Sequence, residues 1–350
     1  MYMVDWITGK LPFFSPGIIA DGEILSLKPT GEIEYSMKKR KQLTGSYDSR
    51  ISIRTAEIDQ EGNTKAIELS GNPVKFLQGH NLFGTADLLN LIPETIIKIA
   101  DMLKTQQPTA ILDAIYRGAY TLSRIDINVM LMLGSRADVI SYLYTMSQNC
   151  RTRSQAATSH GSTVYMNKNS RRWNFKCYSK AQEIGLKRNR KQQSLEFPGS
   201  LKEWAEPTLR LELTLKSNEL RERNLHTAAN WNTIGIPNLF NEYAGRIEMP
   251  SQKVTGNLLL EIKERAARST YQLWVDGHDP RQLLPNRTFY RHRRILLKYG
   301  IDISVHVPKK PDPNANVVPF TKALELKPAV LPDWVKDSEY YFEPRQLFRG

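Results

Sequence analysis

Cysteine is scarce: Cys150 and Cys177 are the only two thiols in 350 residues. Two thiols cannot complete a tetrahedral zinc site alone, and they do not make a disulfide framework. No CxxC, no HExxH and no pair of histidines flanking a hydrophobic residue occurs. A Gly-rich loop ending in Gly-Lys-Ser/Thr is also missing, which argues against an ATP-driven motor. Long apolar runs are absent too. The longest, near Val129–Leu133 and Leu258–Leu260, are far too short to span a bilayer. Asp5 interrupts the opening apolar stretch, and no basic leader or cleavage site accompanies it, so a signal peptide is not expected. These absences describe a cytosolic protein of a reducing compartment with no membrane partner. No repeat of 20–50 residues is visible.

Acidic residues are outnumbered, 36 Asp+Glu against 49 Lys+Arg, for a net charge of +13 and a pI near 9.6. Such a balance favours a polyanionic partner, with nucleic acid first. Hydrophobic content of 40% and charged content of 24% are ordinary for a globular chain. The cations cluster at Lys38–Lys41, Arg151–Arg153, Arg171–Arg172, Lys187–Lys191 and Arg291–Arg294. Lys38–Lys41 is most simply a solvated loop, and each of the other four is either a phosphate contact or a solvated surface.

Hydrophobic periodicity predicts strands at Met3–Phe14, Ile24–Leu27, Glu32–Ser36, Arg50–Ile58, Lys65–Ser70, Tyr120–Met132, Ser162–Met166, Trp173–Lys180 and Leu209–Lys216. Lys38–Lys41 reads as a loop. Helices are expected from Ala86 to Leu103, capped by Thr85 and kinked or divided at Pro93, and from Pro108 to Arg117. Another follows from Arg136 to Gln148, capped by Ser135, and Ser217 is read as the cap of a short helix. Residues 185–206 read as a basic linker. Beyond residue 228 the pattern is helical, at Leu239–Ile247, Gly256–Ser269, Tyr271–Val275 and Asn286–Tyr299. The implied class is α+β: a central antiparallel sheet with helices on one face, then a mostly helical C-terminal region. The expected division is a catalytic domain over 1–226, a helical DNA-contacting region over 227–307, and a linker with a weakly ordered tail over 308–350.

Four strands pair an apolar face with a polar one. The polar faces carry Glu68; Arg124 and Asp126; Lys176, Tyr178 and Lys180; and Arg210 and Glu212. In one antiparallel sheet they would line an open side. A tyrosine among cations is a candidate nucleophile, because positive charge favours phenolate over phenol. Tyr178 could equally be an ordinary sheet tyrosine, since strands favour Tyr. Carboxylates are natural ligands for Mg²⁺ or Mn²⁺. Glu68, Asp126 and Glu212 are the candidate ligands, with the isolated His80 as a fourth. Arg124–Asp126 and Arg210–Glu212 could instead be solvated or paired strand faces.

Several blocks carry a resemblance. Asn72-Pro-Val-Lys-Phe-Leu-Gln-Gly-His-Asn-Leu-Phe-Gly-Thr-Ala-Asp-Leu88 resembles the signature of the gene II/gene X replication initiators of filamentous bacteriophages (Inoviridae). Ser123-Arg-Ile-Asp126, Thr152-Arg-Ser-Gln155, Ser162-Thr-Val164, Tyr178-Ser-Lys180 with Glu183, and Leu209-Arg-Leu-Glu212 match further blocks in order. Tyr290 to Gly300, Asn316-Val-Val-Pro319 and Pro332-Asp-Trp334 resemble the family's C-terminal region. The resemblance implies a rolling-circle initiator with a nickase-like antiparallel palm. Such an enzyme nicks the plus strand of double-stranded replicative-form DNA at its origin. Its tyrosine takes the 5′ phosphate, Mg²⁺ is required, and the displaced circle is later reclosed. The Tyr-x-Lys motif carries over to Tyr178 with Lys180 beside it, and Tyr165 on the partner strand is the runner-up. A host helicase and single-strand DNA-binding protein are implied partners, in the bacterial host cytoplasm. The two-histidine metal motif of the wider rolling-circle nickases is missing. Arg124, Arg151, Arg153, Arg171, Arg172, Arg210, Arg293 and Arg294 are the expected DNA contacts. Two other functions stay open: a non-catalytic origin-binding protein or repressor, which fits the charge equally well, and a metal-dependent nuclease that uses water, in which Tyr178 merely packs.

Overall fold

A computed structural model of the chain describes residues 1–20, 22–153, 155–185, 198–248, 262–276, 278–299, 301, 303–304, 328–336 and 338–343. The basic run Lys187–Lys191 and the 308–313 linker lie outside the described residues. The chain forms two compact units. One gathers Met3–Ile127, Leu215–Gly235 and Leu331–Gly350; the other gathers Met1–Tyr2, Asn128–Thr214 and Ile236–Val330. The α+β class and the helical C-terminal region expected from the sequence are both present.

In the first unit, the strands are β1 (Tyr2–Ser15), β2 (Glu23–Leu27), β3 (Ile33–Lys38), β4 (Lys41–Thr44), β5 (Arg50–Ile58), β6 (Thr64–Gly71) and the start of β7 (Thr121–Met132). Strands β2 and β3 pair as a separate hairpin, and the main sheet runs β4-β5-β6-β1-β7. Antiparallel registers set Leu11 opposite Ile67 and Ile53 opposite Leu69, so the apolar halves of the period-2 pattern share one face. The other face brings Lys10 and Arg54 opposite Glu68 from either side. Helices α1 (Pro73–Gln78) and α2 (Leu88–Met102) add Phe76, Leu91, Ile92, Ile96 and Ile99 to the core. Helix α3 (Thr109–Tyr116) follows. Two expectations change here. Asp87, not Thr85, caps α2 by accepting from Asn90 N, and α2 runs unbroken through Pro93. Lys41 opens β4 instead of closing a loop, because Lys41–Thr44 finds a partner in β5.

In the second unit, β7 continues from Asn128. It is joined by β8 (Arg151–Thr152), β9 (Thr158–His160), β10 (Thr163–Met166), β11 (Trp173–Ser179), β12 (Thr208–Lys216) and β13 (Ile247–Glu248). The sheet order is β7-β12-β11-β10-β9, while β13 and β8 pair separately. Helix α4 (Arg136–Asn149) is capped by Ser135, whose hydroxyl accepts from Asp138 N. The β10–β11 hairpin sets Val164 opposite Cys177 and Met166 opposite Phe175 on the core side. Helix Ile236–Ala244 covers that side: Phe240 lies 5.2 Å from Phe175, and Tyr243 lies 5.4 Å from Trp173, ring to ring. A second core gathers helices Arg265–Val275 and Asn286–Leu297 around Tyr271, Trp274, Phe289 and Leu296. Part of the expected linker, Gly199–Ala205, is a helix whose Leu201 and Ala205 are buried. Ser217 is a first helical residue and makes no cap bond; Lys216 holds the cap position. No helix among the described residues is long and apolar enough to cross a membrane.

Candidate active site

A polar cluster of the second unit lies where β11 runs beside β12. Alternation turns Trp173, Phe175 and Cys177 into the core, and therefore turns Lys176 and Tyr178 to the other side. On β12, Leu209, Leu211, Leu213 and Leu215 occupy the core, which places Arg210 and Glu212 beside Lys176 and Tyr178. Tyr178 Oη donates to Glu212 Oε2 at 3.2 Å and accepts from Arg210 Nη1 at 3.3 Å. Lys176 Nζ pairs with Glu212 Oε1 at 2.6 Å and stands 5.9 Å from the Tyr178 ring centre. A phenol oxygen is thus flanked by a proton acceptor and a guanidinium, with an ammonium holding the acceptor.

The polar side of β12 is closed, not open as the alternation suggested. Arg210 is 0% exposed, Glu212 1% and Tyr178 9%. Arg210 therefore meets the tyrosine rather than a surface. Lys180 is also displaced from its expected place, because β11 ends at Ser179 and Lys180 begins helix α5 (Lys180–Gly185). It is buried and paired with Glu183. Tyr165 stands opposite Lys176 in the hairpin, and Lys168 Nζ lies 4.8 Å over its ring. Cys150 and Cys177 are free and buried, and burial pushes the Cys150 thiol up to about 12, so it is a poor nucleophile.

Two side chains of this unit were not singled out from the sequence. Asn128 and Gln182 are fully buried, and neither the nitrogen nor the oxygen of either amide has a hydrogen-bond partner among the described residues. Asn128 continues the Arg124–Asp126 alternation, which is the signal that could have found it. Gln182 follows Tyr178 by four residues on α5, and its burial had no signal in the sequence.

The remaining candidates lie in the first unit. Glu68 accepts from Arg54 Nη2 at 2.6 Å and also pairs with Arg40. Burial is the largest single influence on the Glu68 carboxyl and would raise it, but Arg54 and Arg40 together outweigh it and hold it below the ordinary range. Asp126 receives a two-pronged contact from Arg124, at 2.9 and 2.6 Å, and the Arg124 guanidinium stacks 5.6 Å over Trp6.

The block 72–88 folds in on itself. Asn72 and Asn81 both donate to buried Asp5 Oδ1 at 2.7 Å, while Asn72 Oδ1 caps α1 through Lys75 N. Gln78 donates to the His80 and Phe83 carbonyls and accepts from Phe342 N. Leu82 N donates to His80 Nδ1 at 3.2 Å, so the neutral ring carries its proton on Nε2. A metal at Nε2 would force that proton onto Nδ1, against the Leu82 N–H. Asp5 was legible as a lone acid within an apolar strand.

Glu68, Asp126, Glu212 and His80 are the expected ligands of a divalent ion. Among the described residues, no three His, Cys, Asp or Glu side chains form a group that could hold a metal. Each of the three carboxylates is neutralised by cations, and His80 presents the wrong tautomer. As arranged, these residues do not fit Mg²⁺ or Mn²⁺, and no reaction step is assigned to such an ion. Of the expected DNA contacts, Arg151, Arg153, Arg171, Arg172 and Arg294 are exposed, and Arg124 and Arg293 are half-buried.

Comparison with known proteins agrees with this arrangement of blocks. Residues 3–234 match the N-terminal family of the phage replication-associated protein encoded by gene II, and residues 259–340 match the C-terminal family of the same protein. The chain is 37% identical over 333 residues to the replication-associated protein of Enterobacteria phage I2-2, covering 94% of this chain and 95% of that one. It is 31% identical over 121 residues to the replication-associated proteins of Enterobacteria phages fd and M13, covering 34% of this chain and 28% of each of those. No solved structure matches the chain. Fold and comparisons together define the class, an α+β phage replication protein. The chain belongs to the replication-associated protein family of filamentous phages, the gene II family.

Proposed function

We propose that this chain nicks the plus strand of phage replicative-form DNA at its origin through Tyr178 and later recloses the displaced strand. The observation that carries the reading is the Tyr178 oxygen, held between Glu212 Oε2 and Arg210 Nη1 at 3.2 and 3.3 Å. In this reading Glu212 accepts the phenolic proton, and Arg210 stabilises the phenolate left behind. The phenolate oxygen attacks phosphorus. The bond from phosphorus to the 3′ oxygen breaks, and that oxygen takes up a proton and leaves as a hydroxyl. The 5′ phosphate is now esterified to Tyr178. One phosphodiester replaces another, so attack by a 3′ hydroxyl on the phosphotyrosine rejoins the strand without ATP. Lys176 pairs with Glu212, and Lys180, paired with Glu183, positions the turn from Tyr178 into α5. The low exposure of Tyr178 requires that the polar side of β12 open when DNA arrives.

Purified protein incubated with origin DNA in Mg²⁺ buffer should become covalently attached, and mass spectrometry should find the DNA on the Tyr178 peptide. Tyr178→Phe should not attach. Attachment through Tyr165 would move the site, and a nick with a free 5′ phosphate would favour a water-using nuclease. The burial of Tyr178 favours a second reading, an origin-binding protein in which this network is only core. That reading predicts duplex binding with neither nick nor attachment.

A further inference from the structure

Helix Asn286–Leu297 carries a surface that the nicking chemistry leaves unused. At about 100° per residue, Arg287, Arg291, Arg294 and Lys298 fall within an arc of roughly 60°, and Tyr290 lies about 40° further round. All five are exposed, Tyr290 by 57%. Phe289, His292 and Leu296 occupy the opposite side and are buried. Phe289 and Leu296 sit in the core built with Tyr271 and Trp274, and His292 Nδ1 lies 2.7 Å from Thr270 Oγ1. The helix is therefore firmly mounted, with its cations pointing out.

Those cations are arranged against the interest of the helix. Arg287/Arg291 and Arg294/Lys298 are i,i+4 like-charge pairs, and Arg291/Arg294 is an i,i+3 pair, each a destabilising spacing. None of the four has an ion-pair partner among the described residues. A stripe of uncompensated cations is suited to a polyanion. Arg287 to Lys298 spans about 16 Å at 1.5 Å per residue. A single α-helix fits the major groove of B-DNA, whose walls are phosphates and whose floor is base edges. Proteins that track single strands stack successive bases on several aromatic rings, and this stripe offers one.

We infer that this face docks in the major groove of duplex DNA, with Arg287, Arg291, Arg294 and Lys298 on phosphates and Tyr290 toward the base edges. The inference rests on the reading that the chain acts on DNA and is independent of the part given to Tyr178. It also separates two neighbours expected to act together: Arg294 lies on the stripe, whereas Arg293 is half-buried and about 100° away from it.

The test uses the full chain and the triple variant Arg287→Gln/Arg291→Gln/Lys298→Gln, with Kd measured on duplex and on single-stranded DNA across a salt series. Each lost phosphate contact should lower the duplex salt slope by about 0.9, so the triple variant should be shallower by about 2.7. Its single-strand slope should change by less than half as much. Tyr290→Ala should keep the duplex slope and reduce the preference for origin over random duplex by about tenfold, the scale of one base contact. Circular dichroism checks the fold, which these exposed positions should not disturb. A triple variant with the wild-type duplex slope overturns the inference, and so does an equal loss on single strands. The covalent-attachment assay on the wild-type chain reports on Tyr178 separately, so either reading can fail alone.

Discussion

Tyr178 Oη donates its hydrogen bond to Glu212 Oε2, from β11 to the neighbouring strand β12. That single contact gives the phenolic proton somewhere to go. Glu212→Gln keeps an oxygen acceptor of the same shape and removes its charge and basicity. At saturating DNA, the single-turnover rate of covalent attachment should fall by about 10²–10⁴, the usual contribution of a positioned general base. Duplex Kd should change little, because Glu212 is buried. A rate within a few-fold of wild type would remove Glu212 from the reaction.

Much of this site could be read from alternation, and its limits are physical. A strand such as 208–216 shows which residues share a side, because Leu209, Leu211, Leu213 and Leu215 fill the core face. It does not show whether anything covers the other side, so Arg210 and Glu212 looked open and are buried. Lys180 continued the alternation of β11 in sequence, but the strand stops at Ser179, since a helix start competes with period 2. Arg40 looked like part of a solvated loop, and its partner Glu68 is 28 residues away. Long-range pairing of this kind leaves no local trace. The block 72–88 was recognisable as a unit, while its inward-turned network around Asp5 and Gln78 depends on contacts reaching from residue 5 to residue 342.

The Glu68 carboxyl is held below the ordinary range, with burial opposing and the two arginines prevailing. A depressed carboxylate contributes stability above its unfolded value, about 4.3, and loses that contribution as pH falls through the folded value. Glu68→Gln should therefore lower Tm at pH 7, and the gap from wild type should close as pH falls below about 4. An equal gap at pH 7 and pH 3 would show that the arginines do not act through the charge of Glu68.

Gly79 ends α1 at φ 92, and a Cβ there would stand 2.3 Å from Tyr47 Cδ2 and 3.0 Å from Tyr47 Cβ. Tyr47 is itself at φ 50, so its backbone has little freedom to retreat. Gly79→Ala adds left-handed strain to a steric clash and should destabilise by about 1–3 kcal/mol. Urea unfolding should show a lower midpoint at unchanged m. An unchanged midpoint would mean that α1 can end in another conformation.

Gln182 buries a whole amide with neither atom bonded among the described residues. Such a group costs roughly 1–3 kcal/mol relative to a bonded one. Gln182→Leu conserves volume closely and removes the unbonded atoms, so it should melt at or above the wild-type temperature. If the amide is kept for the reaction, the same variant should attach to origin DNA more slowly while folding better. Stability and rate would then move in opposite directions, which a merely structural glutamine would not produce. A variant that loses stability by more than about 1 kcal/mol would instead show that the amide is bonded in solution. A variant that gains stability at an unchanged rate would remove Gln182 from the chemistry and leave it as a local packing cost beside the Tyr178 turn.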